Sequence, residues 1–133
     1  MIDMTEEALK TWGYFHDWYL HNVTIGPNAE PRTLTLGLQL GSRNAVVTFN
    51  GVTCLSVERL GLLNIVYGIH FVAPDDAKYA RASAVLEAGE RLTNRKAALL
   101  AFVYSTLGAE LAIECDSLEV HVTESGTFAS PLL

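Results

Sequence analysis

The segment Glu110–Glu124 has the sequence ELAIECDSLEVHVTE, and its apolar residues alternate in two phases. They occupy odd positions over 111–115 and even positions over 118–122. Alternation is typical of a strand with one buried face, and one extra residue at a β-bulge shifts its phase. We therefore predict two strand segments with a common buried face, joined by a bulge at Asp116-Ser117.

Glu114 and Glu119 lie between these apolar residues, and the segment contains five carboxylates without one Lys or Arg. The alternation predicts that Glu110, Glu114, Glu119 and His121 face solvent, with Asp116 at the bulge. Two interpretations stay open. The charges discourage aggregation of an edge strand, or they form a docking face for a basic partner.

The rest of the chain predicts an α+β fold, a mostly antiparallel β-sheet with a short N-terminal helix and one helix inserted before a C-terminal β-hairpin. The clearest strand is TLTLGLQL (Thr33–Leu40), where leucine alternates with small or polar residues. We predict a bulge or tight turn at Asn50-Gly51 inside another strand. The predicted helices span roughly 4–13 and 77–92. Residues 97–107 fit helix or strand, and the β-favouring FVYST favours strand.

The segment NIVYGIHFV (Asn64–Val72) also alternates, which predicts that Tyr67 shares one face with the isoleucines around it. The strand ends before Asp75 and Asp76. Their carboxylates can interact favourably with the N-terminus of the inserted helix.

Composition predicts a single domain, 1–133, with half of its residues apolar and a net charge of −6. This charge argues against direct nucleic-acid binding, which needs clustered cations. The longest apolar run, Ala97–Tyr104, is too short to cross a membrane. The acidic N-terminus lacks a signal-peptide pattern, so a cytoplasmic location is expected. Cys54 and Cys115 have no paired spacing and are predicted to be reduced core residues.

A possible catalytic pair lies in YFHDWYLHNVTI (Tyr14–Ile25), where His16 and Asp17 are adjacent. Imidazole and carboxylate can bind a metal or exchange protons. Neighbours on a strand point to opposite faces, so only a turn would bring these two together. The other histidines supply no metal-binding spacing. We expect a structural role instead, in which His16 or Asp17 hydrogen-bonds backbone groups freed where the helix ends. No catalytic residue, metal or cofactor is predicted.

Several blocks of the chain together resemble a known family. The most distinctive are Phe15-His16-Asp17, Phe49–Val52 and the segment around Cys115. In order, the blocks are YFHDWYLHNVTI, TLTLGLQL, VTFNGVTCLSV, NIVYGI and GAELAIECDSLEV. They resemble small cytosolic bacterial immunity proteins of polymorphic toxin and contact-dependent growth inhibition systems, which open with a Phe-His-Asp motif. The alanine-rich insert Ala77–Leu92 departs from that pattern.

The resemblance implies a non-enzymatic protein that binds the toxin domain of a cognate effector and blocks it. It identifies no contact residue. Many such toxins are nucleases with electropositive clefts, which an acidic surface can occupy. The residues expected to bind the toxin are Glu110, Glu114, Asp116, Glu119, Asp75 and Asp76, with Glu87 and Glu90 near the inserted helix. The alternatives are a metal-assisted hydrolase using His16 and Asp17, and a small-ligand-binding or scaffold domain within a homodimer.

Overall fold

The computed structural model describes residues 3–124, with side chains described from Glu6 onward. These residues form an α+β structure, as predicted. In chain order the elements are α1 (Asp3–Thr11), a short 3-10 helix (Gly13–Phe15), β1 (Tyr19–Gly26), β2 (Thr33–Leu40), β3 (Arg43–Asn50), β4 (Cys54–Glu58), β5 (Ile65–Phe71), α2 (Tyr79–Glu87), β6 (Leu99–Leu107), β7 (Glu110–Cys115) and β8 (Ser117–Glu124). The preference for a strand over 97–107 is confirmed.

The strands form one antiparallel sheet in the order β4-β7-β6-β5-β1-β2-β3-β8. Because β3 leads into β4 and β7 leads into β8, the β3–β8 ladder continues as the β4–β7 ladder around a corner. At this corner the backbone N–H of Asp116 donates to the Asn50 carbonyl at 2.8 Å. The sheet therefore bends into two halves, half-sheet 1 (β1, β2, β3, β8) and half-sheet 2 (β4, β5, β6, β7).

The corner confirms both predicted irregularities. Gly51 has a left-handed φ of +64°, which glycine adopts at little cost. On the other side of the ladder, the single residue Asp116 separates β7 from β8. Residues 111, 113 and 115 then share the interior with Leu118. The change from odd to even apolar positions in the sequence therefore marks the place where the sheet bends.

The main core lies between the two half-sheets, where each fully buried aliphatic or aromatic side chain contributes about 1.5–3 kcal/mol. Its largest fully buried side chains come from both half-sheets and from the N-terminal segment. They include Leu9, Phe15, Leu34, Leu36, Leu38, Val47, Phe49, Val66, Ile69, Leu111 and Ile113. Cys115 also lies here, and burial raises the pKa of its thiol to about 12. Cys54 and Cys115 are free and buried, as predicted.

A second cluster lies on the outer face of half-sheet 2, beneath α2. Ala82, Val85 and Leu86 pack there against Phe102 and Ala112. The helix is shorter than the predicted 77–92, because the chain at Gly89 runs against the backbone of β4. A Cβ atom at Gly89 would overlap the carbonyl of Leu55. Residues 88–98 therefore form turns, bends and irregular chain instead of further helical turns.

The prediction that Tyr67 shares one face of β5 with the isoleucines around it is wrong. Tyr67 is 56 % exposed, whereas Val66 and Ile69 are buried. The pairing with β6 shifts register between Val66 and Gly68, so Tyr67 is the extra residue of a bulge. Its carbonyl accepts a hydrogen bond from the His16 ring at 3.0 Å. The described residues contain no helix long and apolar enough to span a membrane.

Candidate functional site

Glu110 and Glu114 lie on the outer face of β7, as the alternation predicts, but this face is not open to solvent. The two residues are 6 % and 8 % exposed. The expectation that they are exposed is wrong because α2 and the segment after it cover half-sheet 2. A buried carboxylate needs a cation or several hydrogen bonds, and arginines supply them.

Glu114 has the most complete set of partners. Arg91 donates to both carboxylate oxygens at 2.6 and 2.8 Å, and Thr53 donates to Oε1. The Arg91 hydrogen bonds hold the pKa of Glu114 below its ordinary value despite the opposing effect of burial, and the Thr53 bond acts in the same direction. The backbone N–H of Ala97 donates to the Thr53 hydroxyl at 3.1 Å. This network fixes the segment between α2 and β6 against the sheet.

Glu110 and Asp116 bind arginine in the same way. Arg81 of α2 donates to Glu110, and an Arg59 nitrogen lies 3.5 Å from the same carboxylate. Arg95 donates to both Asp116 oxygens at 3.0 and 3.2 Å, and also to the carbonyl of Gly51. These contacts join α2 and the following segment to β7 and the corner, so they serve the fold.

The acidic segment is therefore largely neutralised by residues from elsewhere in the chain. Every arginine pairs with a carboxylate, including Arg32 with Glu30 and Arg43 with Glu124. Arg59, Arg81, Arg91 and Arg95 were not predicted as partners of these carboxylates. The one clue to these partners is that a buried carboxylate needs a cation. This clue can be used only once it is known that α2 and the segment after it cover β7.

The remaining negative charge lies on carboxylates that have no Lys or Arg ion pair among the described residues. They are Glu6, Glu7, Asp17, Glu58, Asp75, Asp76, Glu87, Glu90 and Glu119. In the described part of the chain, the cations without an ion pair to a carboxylate are Lys10, Lys78 and Lys96. Lys78 lies over the Tyr104 ring at 4.7 Å. The net charge of −6 is thus carried by this group.

Four of these acidic residues flank α2. Asp75 and Asp76 precede the helix, Glu87 is its last residue and Glu90 follows it, and all four are exposed. Asp76 also accepts a hydrogen bond from the Lys78 backbone N–H at 2.9 Å. We call this set the α2 acidic surface. Glu119 is exposed too, but it lies on β8 in half-sheet 1.

His16 and Asp17 do come together, because both lie in a turn and not on a strand. Asp17 has a left-handed φ of 72°, and its carboxylate lies 3.6 Å from Nε2 of His16. His16 Nδ1 bonds the carbonyl of Tyr67, so the expected bond to the end of the helix is wrong. Both side chains are more than half exposed. In the described part of the chain no three His, Cys, Asp or Glu residues could hold one metal ion.

A cluster around His70 was not predicted. The Tyr14 ring stacks on His70 with 4.4 Å between ring centroids, and Tyr104 meets the imidazole edge-on. Asp76 and Lys78 complete a small cavity of about 130 Å³. Burial, and next the nearby Lys78 ammonium, lower the pKa of His70. The cluster therefore joins the N-terminal segment to β5 and the start of α2 around a neutral imidazole.

No protein-family model, curated protein or solved structure matches the chain in the comparisons with known proteins. Any functional proposal therefore depends on the residues and their arrangement.

Proposed function

We propose that this chain is an immunity protein that binds a cognate toxin domain and neutralises it by occupying a basic surface, without bond chemistry of its own. The single observation that carries this proposal is the distribution of charge. The arginines are all held in internal ion pairs, and all of the excess carboxylates except the half-buried Glu58 are exposed to solvent. The resemblance to Phe-His-Asp immunity proteins agrees with it.

The structure changes which residues we propose for the contact. Glu110 and Glu114 are covered, so a partner cannot reach them without displacing α2 or its arginines. Asp116 is half-exposed but already bound to Arg95. The α2 acidic surface is the better candidate because its four carboxylates are exposed and have no arginine partners among the described residues. Glu119 is also exposed, but it is a single carboxylate on β8, apart from the α2 acidic surface, so we assign it a secondary role in the contact.

A nuclease-type toxin suits such a surface. A nuclease cleft is electropositive because it holds phosphates, and exposed carboxylates at both ends of α2 match that potential in place of nucleic acid. Complementary charge of this kind raises association rates by about 10–10³-fold and is sensitive to salt. We therefore expect binding to the toxin to be fast at low ionic strength and slower as salt is added.

The test uses charge reversal at the α2 acidic surface. The proposal requires a gene beside this one that encodes a large secreted protein, and the probe is the C-terminal domain of that protein, co-expressed with this chain in a growth assay. We expect Asp75→Lys with Glu87→Lys to lose protection from the toxin and to slow association at low salt. The matched control is Glu6→Lys with Glu7→Lys, which makes the same change of charge on α1.

Two results would refute the proposal. One is the lack of any complex between the purified chain and that domain. The other is an equal effect of both double variants on the association rate, because a surface-specific contact must distinguish them. Circular dichroism of each variant checks that the fold is kept.

A further inference from the structure

The connection between β4 and β5 is a loop, Arg59–Asn64, that a buried asparagine holds in one shape. Asn64 is 8 % exposed. Its Nδ2 donates to the Gly61 carbonyl at 2.9 Å, and its Oδ1 accepts from the backbone N–H groups of Gly61 and Ala109 at 3.1 and 2.9 Å. Leaving such groups unpaired costs about 1–3 kcal/mol each. The loop is therefore fixed to the β6–β7 turn.

This fixed loop presents leucines to solvent. Leu60, Leu62 and Leu63 are 63 %, 108 % and 50 % exposed. Burying a leucine fully contributes about 1.5–3 kcal/mol. Three neighbouring exposed leucines on an ordered loop leave that stabilisation unused, which is uncommon in a monomer. We call this segment the leucine loop.

The leucine loop stands beside an open strand edge. β1 pairs with β2 along its whole length but with β5 only at Tyr19. The next backbone bond on that side runs from the Leu20 N–H to the Asn64 carbonyl, and the described residues supply none beyond it. If the same register continued, His21 would pair with Leu63. Instead the loop diverges and leaves a groove of about 440 Å³ along residues 19–23 of β1.

The groove also differs from the rest of the surface in charge. Among the described residues that line it there is no Asp, Glu, Lys or Arg, although the chain carries a net charge of −6. The lining residues are Tyr19, Leu20, His21, Asn22, Val23, Gln39 and the loop from Leu60 to Asn64. A second acidic molecule of the same kind can approach this face without placing carboxylates against carboxylates, which the α2 acidic surface would not allow.

We propose that the leucine loop and the open edge of β1 form the interface of a homodimer. The leucine loop lacks an apolar surface to pack against, and the open edge of β1 lacks a strand to pair with. A second copy related by a twofold axis supplies both, because an antiparallel edge can pair with itself. The leucines lose their contact with water, and the edge groups of His21–Gly26 find the backbone of another strand. This surface is separate from the α2 acidic surface and does not depend on the proposed toxin.

The test is the mass of the full chain in solution between low and high micromolar concentration, measured by sedimentation and light scattering. We expect the dimer mass for the native chain and half that mass for Leu62→Glu. Leu92→Glu is the matched control, since Leu92 is 69 % exposed but lies beyond α2, and it should stay dimeric. Hydrogen exchange of His21–Gly26 should be slower in the native dimer than in Leu62→Glu.

A monomer at every concentration overturns the proposal, and so does a dimer that Leu62→Glu leaves intact. Equal exchange of His21–Gly26 in dimer and monomer also overturns it, because the edge would then stay uncovered. A different protein bound to the groove of a strictly monomeric chain counts against it in the same way. Leu62 is fully exposed, so its replacement leaves the core unchanged, and none of these measurements requires the toxin.

Discussion

Arg91 and Glu114 form a two-bond ion pair that joins the segment after α2 to the outer face of β7, with N–O distances of 2.6 and 2.8 Å. The two side chains differ in exposure, 30 % for Arg91 and 11 % for Glu114. The arginine thus acts as a cover over a carboxylate that the fold has taken out of water. The acidic character of β7, which in sequence suggests a docking face, is in the folded chain a means of attaching α2 and its following segment.

Replacing Arg91 by alanine should destabilise the fold by about 2–3 kcal/mol. Breaking a fully buried ion pair costs about 3–5 kcal/mol because one charge is left without a partner, and the partial exposure of Arg91 reduces that cost. Arg95→Ala is the control. Its pair with Asp116 is half-exposed on both sides, so solvent screens the pair and the expected loss of stability is much smaller. Equal shifts of the urea midpoint would contradict this prediction.

The same pair should make stability depend on acid pH. Arg91 lowers the pKa of Glu114 in the folded chain below its ordinary 4.5. The unfolded chain therefore binds a proton first, and the stabilisation is complete above pH 4.5 and is lost as the pH falls through the folded pKa. We expect urea midpoints of the native chain to fall more steeply below that pH than those of Glu114→Gln. Parallel profiles would rule out this role of Glu114.

Local sequence rules predicted the parts of the fold that depend on alternation and turn chemistry. The leucines of β2 and the change of phase at Asp116 each follow from which side of a strand a residue occupies, and neighbours along the chain determine that. The glycine at position 51 marked the other side of the same corner. These signals gave the α+β class and most strand positions correctly.

The rest depends on contacts between distant segments. Arg91 and Glu114 are 23 residues apart, and nothing in the sequence of β7 shows that α2 will cover it. Tyr67 faces outward because of a bulge whose carbonyl is bound by His16, 51 residues earlier. The position of a helix on a sheet decides whether a carboxylate is a surface charge or an internal one, so the candidate site could not be predicted from alternation alone.

The substitution Gly51→Ala should destabilise the fold much more than Gly41→Ala does. Both glycines are left-handed, with φ of +64° and +62°, so each replacement loses about 1–2 kcal/mol to backbone strain. A Cβ atom at Gly51 would also overlap the Asp116 carboxylate, whereas one at Gly41 would have no atom of the described residues within 4 Å beyond its chain neighbours. The Asp116 side chain and the backbone beside it must shift to make room, and this overpacking adds about 1–3 kcal/mol. Thermal unfolding of the two variants compares these costs directly.

His70 should make the stability of the fold depend on pH in a less acidic range than Glu114 does. Its folded pKa lies below the ordinary 6.5, chiefly because of burial and then because of Lys78, whereas Glu6 and Asp76 act in the opposite direction. The unfolded chain therefore binds the proton more readily. The stabilisation is complete above pH 6.5 and decreases as the pH falls through the folded pKa of His70.

The variant His70→Phe tests this directly, because phenylalanine keeps a ring against Tyr14 and cannot be protonated. We expect the native chain to lose stability as the pH falls below 6.5, and His70→Phe to lose much less over the same range. Glu114→Gln serves as the control, since its missing titration belongs to a lower pH range and should leave this loss unchanged. If His70→Phe follows the native profile, the imidazole does not couple protonation to folding.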